Sequence, residues 1–135
     1  MTVFTTNAKW TEKFQFEATG SSGHAILVDG DGQIASSPME LVLAALCGCT
    51  GYDVVSILQK KREPFTALEV TAKAEKAPRP PRVYTDIELL YRVRGRVSRK
   101  AVEDAVRLSE EKYCSVSAML SKTAKIALRI ELDEE

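Results

Sequence analysis

The sequence predicts a single α+β domain, and three observations support this fold class. Segments in which apolar and polar side chains alternate, as in half-buried strands, occur near both ends and in the middle of the chain. One long apolar helical segment separates the first two groups of strands, and two shorter helices precede the last strand. The resulting order, ββ, long helix, ββ, two helices, β, favours mostly antiparallel pairing. A length of 135 residues fits one domain over residues 1–135.

The N-terminal region is predicted to be a small β unit. Residues 8–18 alternate as one strand, with their aromatic side chains on one face. A Gly-Ser turn follows at residues 20–23, and residues 24–28 return as a second strand paired with the first. Residues 29–32 (DGDG) form another turn, because a calcium loop would need further ligands and a glutamate at its twelfth position.

A long helix is predicted from Pro38 to about Lys61. Serine at the cap, proline in the first turn and the acidic Glu40 near the positive helix end are typical of a helix start. Residues 41–49 are apolar or small around the whole circumference, a pattern typical of a helix buried on all sides. Because so short a chain cannot enclose this helix alone, we expect a homodimer with the helix near its centre.

The second half of the chain is predicted to contain a hairpin, two helices and a closing strand. The hairpin strands cover residues 67–77 and 83–95, and the rigid PRPPR segment joins them. Ser98 caps an amphipathic helix that ends near Tyr113. The last two elements are a helix over residues 115–121 and a strand over residues 124–132.

Charge and hydropathy argue against two classes of partner. The chain has 19 basic and 19 acidic residues and a pI of about 6.6, whereas nucleic-acid binding needs an excess of positive charge. The longest stretch without a charged residue, Leu41 to Tyr52, has 12 residues, which is short of the roughly 20 that a membrane span needs. The N-terminus lacks the basic flank and apolar run of a secretory signal, so we expect a cytoplasmic protein.

The cysteines Cys47, Cys49 and Cys114 are the most informative residues. In a reducing compartment they are expected to be free thiols. Cys47 and Cys49 project about 200° apart on a helix and cannot form a disulfide there. Cys114 starts a helix, where backbone N–H groups favour the thiolate and lower the pKa. Cys47 is best interpreted as a small core residue, while core and redox roles both remain open for Cys49 and Cys114.

Other candidate residues are few. Asp53 follows Cys49 by four residues on the same helix face, where its charge opposes a thiolate but its carboxylate could accept a proton. His24, the only histidine, titrates in a range suited to assisting a thiol, although a lone histidine is more often structural. Three cysteines and one histidine lack zinc-site spacing, so no metal is expected.

Two segments carry a resemblance to a known family. The run SPMELVLAALCGCTGYDVVSILQKK, together with LSEEKYCSVSAML further along the chain, resembles the OsmC/Ohr family and within it the YhfA-like branch. The likeness extends over nearly the whole chain, including SGHAILVDG and the PR-rich hairpin. It implies an intertwined dimer in which two long central helices are wrapped by antiparallel sheets, with two sites at the dimer interface.

The resemblance also implies a mechanism and residue roles. In the peroxidase members, the cysteine on the long helix attacks a hydroperoxide as a thiolate and becomes a sulfenic acid, which the second cysteine resolves as a disulfide. Counting from Pro38 places Cys49 in the attacking position and Cys114 in the resolving one, and Cys47 has no counterpart. A dithiol reductant would complete the cycle, and no cofactor is implied.

Two departures from the peroxidase pattern concern the mechanism. Those members use an arginine from the N-terminal β region, paired with a glutamate directly after the helix-start proline. Here no arginine precedes Arg62, Met39 occupies the glutamate position, and Glu40 comes one residue late, rotated by about 100°. His24, along with Lys9 or Lys13, is a candidate for the missing positive partner.

The function predicted from these residues is thiol-dependent reduction of organic hydroperoxides in oxidative-stress defence. Cys49 and Cys114 are the predicted catalytic residues, and His24, Glu40 and Asp53 are candidate assisting residues. Two alternatives remain open. One is a non-peroxidatic enzyme or binder of a small apolar molecule in the same interface pocket. The other is a redox-regulated protein in which the disulfide changes the dimer without catalysis.

Overall fold

The computed structural model describes residues 2–134. The chain forms two compact units that divide between Leu43 and Ala44. Each unit contains one three-stranded sheet, and the long helix α1 begins in the first unit and continues in the second. Helices and sheets are thus grouped rather than alternating, which confirms the predicted α+β class.

The first unit contains an antiparallel sheet. Its strands are β1 (Asn7–Glu12), β2 (Gln15–Thr19) and β3 (Ala25–Asp29), in the order β1-β2-β3. The pairing of β3 with the preceding strand confirms the predicted return strand.

The prediction of one continuous strand over residues 8–18 was wrong. The chain reverses at Lys13, which has a φ of 49°, and Phe14. Trp10 pairs with Phe16 across the hairpin, so both lie on the same face of the sheet. Because positions 10 and 16 have the same parity, the apolar alternation continues through the turn and conceals it.

The turn after β3 is organised by a buried aspartate. The Asp29 carboxylate accepts hydrogen bonds from the backbone N–H groups of Asp31, Gln33 and Ile34 at 3.0–3.1 Å. These bonds, with that of Ile34 first, lower the pKa of Asp29. The segment is therefore a turn, as predicted, in which the carboxylate is committed to backbone groups.

Helix α1 covers Pro38–Lys60 and closely matches the predicted bounds. A capping box starts it: the Ser37 hydroxyl accepts from the Glu40 N–H, and the Glu40 carboxylate accepts from the Ser37 N–H at 2.9 Å. At the other end, the Glu63 N–H donates to the Leu58 carbonyl, and Arg62 has a φ of 58°. This Schellman motif, rather than Pro64, ends the helix.

In the second unit, α1 buries one stripe of side chains. Leu46, Thr50, Val54 and Leu58, spaced by four residues, are completely buried, whereas Tyr52 is 73% exposed. Burial on all sides is therefore not found within the described chain, because one sheet covers only one side of a helix. Burial of the remaining sides by a second subunit stays a prediction.

By length and composition alone, α1 could cross a membrane. It has 23 residues, and its most apolar stretch has a mean hydropathy of 1.9. The length of the longest uncharged stretch does not reveal that α1 is long and apolar enough to span a membrane, because a few charged residues interrupt an otherwise apolar helix. The buried stripe, in which Thr50 hydrogen-bonds to Tyr91 and Ser109, is typical of a core helix instead.

The sheet of the second unit combines antiparallel and parallel pairing. Strands β4 (Phe65–Lys76) and β5 (Tyr84–Gly95) form the predicted hairpin. Strand β6 (Lys125–Asp133) pairs with β5 in parallel, in contrast to the expected antiparallel arrangement. The intervening helices return the chain to the starting end of β5, and such a crossover makes the pair parallel.

Three helical segments form this crossover. Helix α2 (Arg99–Leu108) begins as predicted, with the Ser98 hydroxyl accepting from the Ala101 N–H. A π-helical turn (Ser109–Tyr113) continues it to the predicted end, and α3 (Ser115–Leu120) follows. The buried core of the second unit includes apolar side chains from α1, β5 and α2, among them Leu46, Val54, Leu58, Ile87, Leu89, Val93, Val102, Ala105 and Val106.

Candidate functional site

Two of the three cysteines meet in the second unit. Cys49 lies on α1, and Cys114, which is only 3% exposed, is the N-cap residue of α3. Both are free thiols, and their side chains form a hydrogen-bond contact with each other. Residues 65 positions apart in the sequence are thus brought into side-chain contact.

The predicted lowering of the Cys114 pKa was wrong. The Cys114 sulfur accepts a hydrogen bond from the Ser117 N–H at 3.3 Å, as expected at a helix start. Burial nevertheless raises the pKa of Cys114, and with smaller contributions from Cys49 and Glu110 it reaches about 12. One N–H group at a six-residue helix offsets too little of the desolvation cost of a buried thiolate. Cys114 is therefore a protonated thiol at neutral pH.

Cys47 lies on another side of α1. Its thiol faces the backbone of Ala72 in β4, and burial raises its pKa. It lines an apolar groove of about 660 Å³ together with Tyr52, Val55 and Val70. These surroundings agree with the interpretation of Cys47 as a packing residue rather than a partner of the other two thiols.

A buried hydrogen-bond network lies beside the thiol pair. The hydroxyl of Thr50, the residue after Cys49, is 2.7 Å from the Tyr91 hydroxyl and 2.8 Å from that of Ser109. The Ser109 hydroxyl in turn donates to the Asp53 carboxylate at 2.9 Å. Tyr91 is completely buried, and this burial raises the pKa of its hydroxyl. The network therefore joins three buried hydroxyls to one another and to the Asp53 carboxylate.

The network continues to the helix that carries Cys114. The Tyr91 hydroxyl donates to one oxygen of the Glu110 carboxylate at 3.4 Å. The Ser117 hydroxyl donates to the other carboxylate oxygen at 2.5 Å. Glu110 lies on the π-helical turn, which aligns it with both hydroxyls. Since the Ser117 N–H donates to Cys114, the network connects the residue beside Cys49 with the residue that holds Cys114.

Among the network residues, Asp53 alone was predicted from the sequence. The others were not predicted: Thr50, Tyr91, Ser109, Glu110 and Ser117. A signal was present at three of them, because polar residues occupy expected core positions: Thr50 in the apolar run of α1, Tyr91 on the inward face of β5, and Ser109 in line with the apolar stripe of α2. Buried polar groups in such positions require partners.

The candidate assisting residues lie in different places. Asp53 belongs to the unit that holds the thiols and is bound to the network through Ser109. His24 and Glu40 belong to the first unit. There the exposed His24 ring is 3.2 Å from the Ser22 hydroxyl, and Glu40 takes part in the capping box. Assistance of the thiols by His24 or Glu40 stays a prediction.

A cleft is adjacent to the network. It has a volume of about 450 Å³ and is formed by α1, the end of α2 and the π-helical turn. Tyr52, Ile57, Leu108 and Tyr113 supply apolar surface, and Asp53 and Lys61 supply charge. Asp53 connects this cleft to the network through Ser109, whereas neither Cys49 nor Cys114 is among the residues that line it.

The fold and the two thiols define a class of α+β proteins in which a long helix and a short C-terminal helix each contribute one cysteine to a pair. Residues 30–129 match the family described as "OsmC-like protein". The chain therefore belongs to the OsmC-like family, which confirms the resemblance seen in the sequence.

Individual relatives support this assignment. Protein YhfA of Escherichia coli is 47% identical over 126 residues, which cover 92% of this chain and 94% of that protein. The crystal structure of a hypothetical protein from Aquifex aeolicus has a TM-score of 0.92 at 33% identity and covers 100% of this chain and 99% of its own. An organic hydroperoxide resistance protein from Legionella pneumophila shares the fold at a TM-score of 0.71 and 15% identity, covering 97% and 99%.

Proposed function

We propose that this protein reduces organic hydroperoxides with Cys49 and Cys114 as a redox-active pair. The observation that carries the proposal is the contact between the two thiols within one compact unit. The family includes organic hydroperoxide resistance proteins, which supports the choice of substrate class.

The proposed roles of the two cysteines follow from their surroundings. Cys49 is only partly buried and attacks first, whereas Cys114 is nearly inaccessible and has a strongly raised pKa. The Cys49 thiolate attacks a peroxide oxygen, the O–O bond breaks, and the alcohol leaves with a proton, so that Cys49 becomes a sulfenic acid. The Cys114 sulfur then attacks the Cys49 sulfur, and the S–O bond breaks with loss of water. A dithiol reductant restores both thiols.

The proposal includes a cytoplasmic homodimer. The sides of α1 that the described chain leaves uncovered, including the exposed Tyr52, would be buried by the same helix of a second copy. A reducing compartment would keep the three cysteines as free thiols. The proposed substrate is a small apolar hydroperoxide that enters the cleft beside Tyr113.

A second candidate function is binding of a small apolar molecule without turnover. The high pKa of Cys114 disfavours spontaneous thiol chemistry at neutral pH. Met39 stands at the position where the peroxidase pattern has a glutamate, and no arginine precedes Arg62. These observations favour a protein that keeps the fold and its cleft for another ligand.

One experiment separates the two functions. The reduced protein is treated with one equivalent of cumene hydroperoxide, and intact mass and peptide mapping locate any disulfide. Hydroperoxide consumption is then followed with excess dithiol, with Cys47→Ser as the matched control. A rapid Cys49–Cys114 disulfide with sustained consumption supports the peroxidase. A reaction no faster than that of a free thiol rejects the peroxidase and directs ligand screening to the cleft.

A further inference from the structure

The hydrogen-bond network connects the two elements that carry the thiol pair. Thr50 follows Cys49 on α1 and pairs with Tyr91 on the central strand of its sheet. The Tyr91 hydroxyl donates a hydrogen bond to the Glu110 carboxylate, which also accepts one from the Ser117 hydroxyl on α3. The hydrogen-bonded side chains thus extend from the neighbour of Cys49 to the helix that Cys114 caps.

Glu110 has the central position in this connection. Its two carboxylate oxygens accept hydrogen bonds from different elements, one from β5 and one from α3. Ser117 is 3% exposed. Its backbone N–H donates to the Cys114 sulfur, and its hydroxyl donates to the Glu110 carboxylate. A movement of Glu110 would therefore displace the first turn of α3 and Cys114 with it.

We propose that Glu110 is a positioning residue of the thiol pair, which fixes Cys114 against Cys49 by joining the start of α3 to β5 and α1 through Ser117 and Tyr91. This inference rests on the proposed pairing of Cys49 with Cys114. Glu110 would act on Cys114 indirectly, because its hydrogen bonds are to the hydroxyls of Tyr91 and Ser117.

The energetic consequence is a preference for the disulfide. A thiol pair held in one geometry forms its disulfide with less loss of conformational freedom than a mobile pair. Replacement of Glu110 removes the hydrogen bonds that hold this geometry, so the disulfide becomes less favoured.

The test is a disulfide exchange equilibrium that needs no hydroperoxide. All variants carry Cys47→Ser, so that only the pair reacts. Protein dithiol plus glutathione disulfide gives protein disulfide plus two glutathione molecules, and the oxidised fraction is measured over a range of glutathione ratios. Glu110→Ala removes both hydrogen bonds, Glu110→Gln removes the charge but keeps the shape, and Ser117→Ala removes only the hydroxyl.

Glu111→Gln is the matched control. Glu111 is the exposed neighbour of Glu110 on the π-helical turn, and its ion pair with Arg107 lies within the helical surface. We expect Glu110→Ala to lower the exchange equilibrium constant roughly tenfold, about 1.4 kcal/mol. Glu110→Gln and Ser117→Ala are expected to lower it about threefold each, and Glu111→Gln to leave it within about twofold.

Further readouts distinguish positioning from a loss of folding. Each variant is checked by its near-ultraviolet circular dichroism and melting temperature, and Glu110→Gln with Ser117→Ala as a double change should be no worse than the stronger single change. Parent-like constants in Glu110→Gln and Ser117→Ala, an equal decrease in Glu111→Gln, or a parent that forms no Cys49–Cys114 disulfide would each overturn the inference. A parent that forms the disulfide but consumes no hydroperoxide would refute only the proposed peroxidase activity.

Discussion

Cys47 and Cys49 are two positions apart in the sequence but lie on different sides of α1 and have different surroundings. Cys47 faces β4 and an apolar groove, where burial raises its pKa and a backbone group of Ala72 is its polar neighbour. Cys49 faces Cys114, next to a network of hydroxyls and carboxylates. A rotation of about 200° between positions i and i+2 produces this difference. The helix side, rather than the residue type, thus decides which thiol can form a pair.

The two sides also differ in how they tolerate change. The groove side contains small and apolar residues such as Gly48 and Val55, which need no specific partner. On the network side, Thr50 and Ser109 are completely buried, and each hydroxyl depends on the others for its hydrogen bonds. Removal of one member leaves a buried polar group without a partner, which costs more than the loss of one contact.

The largest expected difference between the two sides concerns hydroperoxide consumption. Cys49→Ser should lower the rate by on the order of 10³ or more, because a serine hydroxyl is a far weaker nucleophile than a thiolate at neutral pH. Cys47→Ser on the groove side should keep nearly the full rate. Consumption of cumene hydroperoxide with excess dithiol measures both, and equal losses in the two variants would refute the residue assignment.

A somewhat smaller effect is expected at the other member of the pair. Cys114→Ser should still reduce about one equivalent of hydroperoxide per subunit, since Cys49 attacks without it, but sustained turnover should fall roughly a hundredfold. The Cys49 sulfenic acid should accumulate, because no thiol of the chain resolves it. A trapping reagent for sulfenic acids, followed by peptide mapping, detects it. Unchanged turnover would show that the added dithiol resolves Cys49 directly.

The sequence predicts most of the fold because its signals are local. Periodicity, caps and turns identify α1, the β4–β5 hairpin and the helix capped by Ser98. The parallel pairing of β6 and the hairpin turn at Lys13 were missed, since the first depends on a long crossover and the second preserves the alternation of its strands. Strand pairing over long sequence distances leaves little local trace.

The candidate site was predictable only in part. The resemblance supplied Cys49 and Cys114, but the Cys114 pKa was predicted with the wrong sign, because burial is a tertiary property that a helix start does not reveal. Glu110 reaches its partners through a π-helical turn, a feature without a clear sequence signature. Tyr91 and Ser109 were detectable as polar residues in apolar stripes, but their partners were not.

The network side predicts a measurable stability difference. Thr50→Val keeps the shape of the side chain but leaves the hydroxyls of Tyr91 and Ser109 with fewer partners, so we expect the free energy of unfolding to fall by about 1–3 kcal/mol. Thr71→Val is the matched control, since Thr71 is exposed on β4 and should change stability by less than about 0.5 kcal/mol. Urea unfolding curves measure both variants, and equal midpoints would contradict a stabilising network.

The remaining expected effect is a pH dependence of stability that distinguishes Cys114 from an ordinary thiol. Its pKa rises from 9.0 to about 12 on folding, so between these values the folded state retains a proton that the unfolded state has lost. This contribution is fully present below about pH 9 and is lost as the pH rises towards 12. The free energy of unfolding of the parent protein should therefore fall more between pH 9 and 11 than that of Cys114→Ala. Cys47→Ala should retain most of this pH dependence, because the Cys47 thiol on the groove side, although its pKa is also raised, is less buried than Cys114. Urea midpoints over this pH range give the three slopes, and identical slopes for parent and Cys114→Ala would mean that Cys114 titrates as a solvent-exposed thiol.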